Sequence, residues 1–213
     1  MSATAEGLAR LKTGSRLYGQ AARLIDTMGP TSEAERILRS SFEILRSAMN
    51  WLEGTSHFEL AHRRLDDAGA LARQTFPEGC HLTFEGQIYY QECPVALAHT
   101  RVGMSPGYIV REAECSICGK DPEDCRHIRG RVYDGQRCVR ILKQLDLLEV
   151  SVVSRPAQPD ARFTKQSVGR DELVAGLGEA FNPGEPVPCD RCLGRCPGVS
   201  RPFENSSVRP GEV

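Results

Sequence analysis

The chain has 213 residues, of which 40% are apolar and 26% charged, and its formal net charge is −1. This is the composition of an ordinary globular protein, and a net charge so close to zero argues against a chain-wide nucleic-acid-binding surface. The N-terminal sequence MSATAEGLARLKTGSRLY is charged throughout and no run of about 18 apolar residues occurs, so we expect a cytoplasmic protein with neither secretory signal nor membrane span.

Residues 1–76 are predicted to form a three-helix unit. Apolar residues recur at three- and four-residue steps in three stretches, 8–25, 34–52 and 58–72. Each stretch ends at a helix-breaking residue, in turn Gly29–Pro30, Gly54 and Pro77. The pattern Ser-x-x-Glu begins at Ser32 and again at Ser56, which predicts a capping box at the start of the second and third helices.

Two histidines lie on the predicted third helix. His57 falls in its first turn and His62 borders its apolar face. We interpret them as a surface histidine and a boundary histidine, because a histidine at such a position more often completes packing than binds a ligand.

The pattern changes after Pro77, and residues 77–165 are predicted to form a small β domain. Three segments have strand composition: 81–93, 107–115 and 145–156. In the last of these, Leu148, Val150 and Val152 share one face of the strand. The predicted fold class is therefore α+β, with a helical unit followed by a zinc-stapled β domain that is either a partial barrel or an open sheet.

A zinc knuckle is predicted within residues 113–138. Cys115 and Cys118 form a C-x2-C pair, and Cys125 and His127 follow as C-x-H. In a reducing compartment such spacing favours a metal thiolate over a disulfide, and zinc accepts three cysteines and one histidine in a closed tetrahedral site. Cys138 is the alternative to His127 as fourth ligand. A closed site of this kind is structural.

A second cysteine cluster lies in residues 166–196, after a predicted short helix over 171–181. Cys189, Cys192 and Cys196 provide three thiols, one fewer than a tetrahedral site needs. The candidates for the missing ligand are all distant in sequence: Cys80, His81, Cys93 and His99. The sequence thus predicts one structural zinc ion or two. The polar, proline-rich tail 197–213 is predicted to be disordered.

Arginines surround the predicted knuckle, at positions 126, 129, 131, 137 and 140. A basic surface of this kind can contact phosphates, so nucleic-acid binding is one alternative function. Acidic residues are interleaved with the arginines, at positions 121, 123, 124 and 134. A charge-balanced, solvated face is the simpler interpretation.

Two stretches carry a resemblance to a known family. VGMSPGYIV (102–110) and LLEVSVVSRPAQPDARFT (147–164) resemble segments of the prohead, or capsid-maturation, proteases of tailed phages. The chain also resembles a set of uncharacterised actinobacterial proteins that share the signatures CPVALAHTRVGMS, CSICG and CDRCL. The first resemblance implies a protease-like fold with a serine nucleophile at Ser105 and an acidic partner at Glu149, and His99 is the nearest upstream histidine.

The residues around Ser105 argue against activity. Pro106 has no N–H group, and the position after a nucleophile often supplies an oxyanion donor. We therefore expect a zinc-binding interaction or regulatory protein that is linked to mobile elements, is non-catalytic and has a protein partner. The alternatives are a serine protease of the prohead-maturation type and a nucleic-acid-binding zinc protein.

Overall fold

The computed structural model describes residues 2–178 and 182–202. It confirms the predicted α+β class, with helices first and small open sheets after them. The chain divides into two compact units: a helical unit of residues 1–103 and 153–213, and a ribbon unit of residues 104–152. This division differs from the predicted β domain of 77–165, both ends of which join the helical unit.

Three long helices build the core of the helical unit. They are α1 (Ala3–Met28), α2 (Ser32–Trp51) and α3 (Phe58–Thr75). The predicted apolar faces pack together in one cluster, in which Leu38, Leu45 and Leu65 are fully buried. No helix among the described residues is long and apolar enough to cross a membrane.

The helix starts differ in detail from the predicted capping boxes. Thr31 caps α2, and its hydroxyl accepts a hydrogen bond from the Ala34 N–H at 3.2 Å, so Ser32 is already helical. His57 precedes α3 without a side-chain cap, and Thr55 accepts from the His57 N–H instead. Threonine and serine cap comparably well, and the sequence offers both at each start.

After α3, a short 3-10 turn (Pro77–Gly79) leads to a β-hairpin and a short helix. Strand β1 (Thr83–Glu85) pairs antiparallel with β2 (Ile88–Gln91). Gly86 and Gln87 connect them, both with positive φ, which is the backbone of a tight two-residue hairpin turn. Helix α4 (Pro94–Ala98) follows, with Pro94 in its first turn.

The ribbon unit is a pair of long strands with a loop between them. Strand β3 (Gly103–Cys115) pairs with β6 (Arg140–Val153), and the small strands β4 (Val132–Tyr133) and β5 (Gln136–Arg137) form a hairpin in the loop. Two ion pairs link the long strands, Arg111 to Asp146 at 2.6 Å and Glu114 to Lys143 at 2.8 Å. Arg111 precedes Glu114 on β3, whereas its partner Asp146 follows Lys143 on β6, so the two strands run antiparallel.

The chain then returns to the helical unit. Strand β7 (Gln166–Val168) adds to β2 and completes a three-stranded sheet in the order β1-β2-β7. Helix α5 (Arg170–Leu177) packs Leu173 against Tyr89 of this sheet. Residues 200 and 100 form a parallel bridge, so the start of the predicted disordered tail is bound to the helical unit. Residues 203–213 lie outside the described residues.

A buried carboxylate, Glu53, fixes the two chain segments beside the ribbon. Arg101, which has no exposed surface, donates to Glu53 Oε2 at 2.9 Å, and Arg162 pairs with the same oxygen. Arg162 also donates to the Ser154 carbonyl at 3.0 Å and forms a bridge with Gly103. Both points where the chain leaves and rejoins the helical unit are therefore tied to one acid.

We predict that Glu53→Gln destabilises the helical unit by about 3–5 kcal/mol, because it leaves two guanidinium groups buried without their counter-charge. Glu43→Gln is the matched control: Glu43 is 65% exposed and lies 3.9 Å from Arg46. Urea unfolding followed by helical circular dichroism measures both changes. Equal effects of the two variants would contradict the role assigned to Glu53.

The same acid predicts a loss of stability in acid. Burial alone would raise the pKa of Glu53, but the hydrogen bond and charge of Arg101, with the charges of Arg162 and Arg201, hold it below the ordinary value of 4.5. The carboxylate therefore stabilises the fold above about pH 4.5, and this contribution is lost as the pH falls through the folded-state pKa. We expect the acid unfolding curve of Glu53→Gln to be flatter than that of the wild type below that pH.

Candidate metal centres

The predicted knuckle ligands lie together in the ribbon unit. The ligand atoms of Cys115, Cys118, Cys125 and His127 all lie within 4.8 Å of one another, and Cys115 Sγ is 3.7 Å from His127 Nδ1. Cys115 ends β3, and Gly119, with φ of 69°, donates its N–H to the Cys115 carbonyl to close the turn. Three thiols and one imidazole in a closed turn are a donor set that suits zinc.

The turn prepares Cys115 to be a thiolate, the form that binds metals. The backbone N–H of Ile117, together with that of Cys118 and the thiols of Cys125 and Cys138, lowers the pKa of the Cys115 thiol to about 6. The Ile117 nitrogen lies 3.5 Å from Cys115 Sγ. Backbone donors that point at sulfur stabilise its negative charge, as an ion would when bound.

Both candidates for the fourth ligand are close to this group. Cys138 is buried, and its sulfur lies 3.7 Å from Cys115 Sγ. His127 belongs to the set of four mutually close ligand atoms, and its ring packs edge-on against Tyr133. The geometry favours His127 as ligand, with Cys138 as a buried neighbour of the Cys115 sulfur.

The C-terminal cysteines are placed in two groups rather than one. Cys189 accepts a hydrogen bond from Gln91 at 3.3 Å, and its own N–H donates to the Cys80 carbonyl. A cavity of about 280 Å³ in the helical unit brings together thiols from distant segments. The thiols that line it belong to Cys80, Cys93, Cys189 and Cys192.

The pKa of one thiol in this cavity is lowered, which favours its thiolate form. A hydrogen bond from the Cys93 thiol lowers the pKa of Cys189 to about 6, and the same contact, followed by burial, raises the pKa of Cys93. Burial raises the pKa of Cys192 to about 11. The structure thus brings Cys189 and Cys192 near two of the long-range candidates, Cys80 and Cys93, and His81 lines the same cavity.

Cys196, the third member of the predicted cluster, lies elsewhere. Its sulfur is 3.3 Å from His62 Nε2, in a group that also contains Asp66 and His99. The sequence did not reveal His62 and Asp66 as site residues. Their spacing of four residues on one helix was the available signal, but an isolated histidine–aspartate pair at that spacing is common on helix surfaces.

The residues that the family resemblance assigns to catalysis are distributed over both units. Ser105 lies near the start of β3, and Glu149 lies on β6 with its side chain against Gly107, where an added Cβ would be 3.0 Å from the Glu149 Cγ. His99 follows α4 in the helical unit. Both of its ring nitrogens have partners there, Nδ1 with the Val95 carbonyl at 2.6 Å and Nε2 with Asp66 at 3.0 Å.

Comparison with known proteins supports the resemblance for part of the chain. Residues 103–172 match the family model of the caudovirus prohead serine protease. This is about a third of the chain, and it spans the whole ribbon unit. No curated protein and no solved structure matches the chain. The predicted resemblance is therefore confirmed for residues 103–172, and it supports a protease-like fold there.

We predict that Cys118→Ser and His127→Ala each remove about one zinc ion per chain, because each deletes one of four ligands of a closed site. Cys138→Ser, the control, is expected to retain that ion. Elemental analysis of protein purified without a metal-affinity tag, after mild chelation, measures the content. Loss of zinc in Cys138→Ser with retention in His127→Ala would reverse the ligand assignment.

Proposed function

We propose that this chain is a zinc-stabilised, non-catalytic protein-binding module, in which a prohead-protease-like ribbon presents the binding surface. The observation that carries the proposal is the exposure of large apolar side chains on both faces of the ribbon. Leu147 and Leu148 point to opposite faces and are each 65% exposed. Further exposed apolar side chains belong to Ile109, Leu142, Val150 and Val152.

Such a ribbon gains free energy when a partner covers it. Burying one leucine or valine side chain is worth about 1.5–3 kcal/mol, and several are available on each face. A two-stranded ribbon alone is marginally stable in water, so a rigid knuckle at one end favours its persistence as a docking element. Contiguous exposed apolar surface on a protein of this size indicates an interaction site.

The class of partner follows from the family match. The matched model is that of a caudovirus prohead protease, so we propose a protein of a phage-type head or of its assembly as the partner. The arginines around the knuckle are exposed and interleaved with exposed acidic residues. This mixed charge favours a protein partner over a nucleic acid, whose phosphates require a basic surface.

Three features support a non-catalytic Ser105. Pro106 supplies no N–H for an oxyanion, and the ribbon unit contains a single histidine, His127, which belongs to the knuckle. His99 uses one ring nitrogen on a backbone carbonyl and directs the other to Asp66. Acyl transfer by serine requires a base with a free nitrogen within hydrogen-bond reach of the hydroxyl.

A serine protease is the second candidate. Glu149 packs against Gly107, two residues from Ser105, so an acid lies near the serine that the family resemblance singles out. A protease of this type would form an acyl-enzyme at Ser105 and release it with water.

We predict that a fluorophosphonate probe does not label Ser105. Any labelling of the wild type is therefore expected to persist in Ser105→Ala. Intact-mass analysis of both proteins after prolonged incubation provides the second measurement, and we expect no Ser105-dependent self-cleavage. Labelling or cleavage that depends on Ser105 would establish the protease and overturn the non-catalytic assignment.

The binding surface is tested by site-specific photo-crosslinking in the native host. A crosslinking residue in place of Leu148 is expected to give a discrete adduct with one protein, whereas the same residue in place of the exposed Glu123 on the knuckle loop is not. The adduct partner is then purified, and Val150→Glu, on the same face as Leu148, is expected to weaken its binding at least tenfold. No adduct, or binding indifferent to Val150→Glu, would contradict the proposed surface.

A further inference from the structure

Four metal-binding side chains meet in the helical unit, separate from the knuckle. His62 and Asp66 lie one turn apart on α3, His99 follows α4, and Cys196 lies in the C-terminal segment. The ligand atoms of these residues all lie within 4.8 Å of one another. Both histidines are buried, His62 at 7% exposure and His99 at 4%.

The separations between these atoms fit one small ion. His62 Nε2 lies 3.0 Å from His99 Nε2 and 3.3 Å from an Asp66 oxygen, and His99 Nε2 lies 3.0 Å from the other Asp66 oxygen. Cys196 Sγ lies 3.3 Å from His62 Nε2. A tetrahedral zinc ion with bonds of about 2.0–2.1 Å separates nitrogen and oxygen ligands by about 3.3 Å.

The hydrogen bonds of His99 determine which nitrogen faces the group. Its Nδ1 lies 2.6 Å from the Val95 carbonyl oxygen, which only accepts, so Nδ1 carries the proton. In the neutral ring, Nε2 then presents a lone pair. His62 is arranged similarly, with Nδ1 3.5 Å from a carboxylate oxygen of Glu59. A second nitrogen that is fixed by a carbonyl or carboxylate is the usual support of a metal-bound histidine.

This arrangement directs acceptors at one point. Two imidazole lone pairs, the Asp66 carboxylate and the Cys196 sulfur converge, and two of the four side chains are removed from water. In the neutral ring the His99 proton is committed to the Val95 carbonyl, so His99 Nε2 has none to offer His62 or Asp66, and the Cys196 thiol is the group's hydrogen-bond partner of Asp66. A cation at the centre satisfies all four ligands together.

We propose that His62 Nε2, the Asp66 carboxylate, His99 Nε2 and Cys196 Sγ form a second metal site, and that its ion is zinc. Its donor set of two nitrogens, one oxygen and one sulfur differs from the thiolate-rich knuckle. The ion fastens the C-terminal segment onto α3 and α4. That segment is aligned there by Ser200, which donates to the His99 carbonyl and accepts from the Arg101 N–H.

Cobalt substitution tests the site, because the absorption of Co²⁺ reports its ligands. His99→Ala is expected to bind about one ion fewer than the wild type. His57→Ala, which changes a histidine that precedes α3 and lies outside the group, is expected to bind as many ions as the wild type. The difference spectrum between wild type and His99→Ala should show visible bands of a tetrahedral ion with the charge-transfer band of a single thiolate.

Cys196→Ser provides the second variant, since serine keeps the shape but removes the sulfur. This variant is expected to lose the charge-transfer band of the single thiolate. The charge-transfer band of the knuckle, which has three thiolates, is expected to stay unchanged. Asp66→Asn should lower the affinity of the same ion without unfolding α3, where the side chain is only half-buried. Both variants remain informative if His99→Ala fails to fold.

Two results would overturn the proposal. One is a cobalt content in His99→Ala, Asp66→Asn and Cys196→Ser equal to that of the wild type, which would leave an imidazolium–carboxylate contact as the explanation of the geometry. The other is a lost ion whose charge transfer corresponds to three or four thiolates, which would assign the ion to the cavity of Cys80, Cys93, Cys189 and Cys192.

Discussion

The buried carboxylate of Glu53 organises the helical unit around the place where the chain leaves it. Arg101 and Arg162 reach this acid from segments on either side of the ribbon, and Asn50 accepts a further hydrogen bond from Arg101 at 2.9 Å. Burying three charges is costly, and the contact is favourable because each charge is paired. Arg101 also donates to the Asn50 amide oxygen and the Ala98 carbonyl, and Arg162 donates to the Ser154 carbonyl. The network therefore fixes the geometry of the two segments. The 49-residue ribbon unit is inserted in the chain between them.

A second acid performs a similar role further along the same segment. Asp160 accepts hydrogen bonds from Ser47, Asn50 and the Trp51 indole, the last at 2.6 Å. These donors all lie on α2. Residues 154–165 are thus held on the helices by polar contacts, and their strand pairing is one bridge between Arg162 and Gly103. This explains why they belong to the helical unit although their composition predicts a β domain.

The sequence was sufficient for features that depend on neighbours along the chain. Three- and four-residue apolar steps located the three long helices α1, α2 and α3. The spacing of Cys115, Cys118, Cys125 and His127 predicted a local cluster, since a C-x2-C turn fixes two sulfurs by backbone geometry alone. The split of the C-terminal cysteines depends on contacts from α3 and the hairpin. A pattern within CDRCLGRC carries no information about those partners.

The two candidate metal sites would act on the fold in different ways. In the knuckle, Cys115 and His127 are 12 residues apart, whereas His62 and Cys196 are separated by 134 residues. Loop-closure entropy grows with the logarithm of the separation, so joining the distant pair restricts the unfolded chain by about 2 kcal/mol more than joining the near pair. An ion at the knuckle would mainly shape its own loop. An ion at the proposed second site would act on the whole topology, because it would join a helix from the first half of the chain to the segment that follows the ribbon and the last strand.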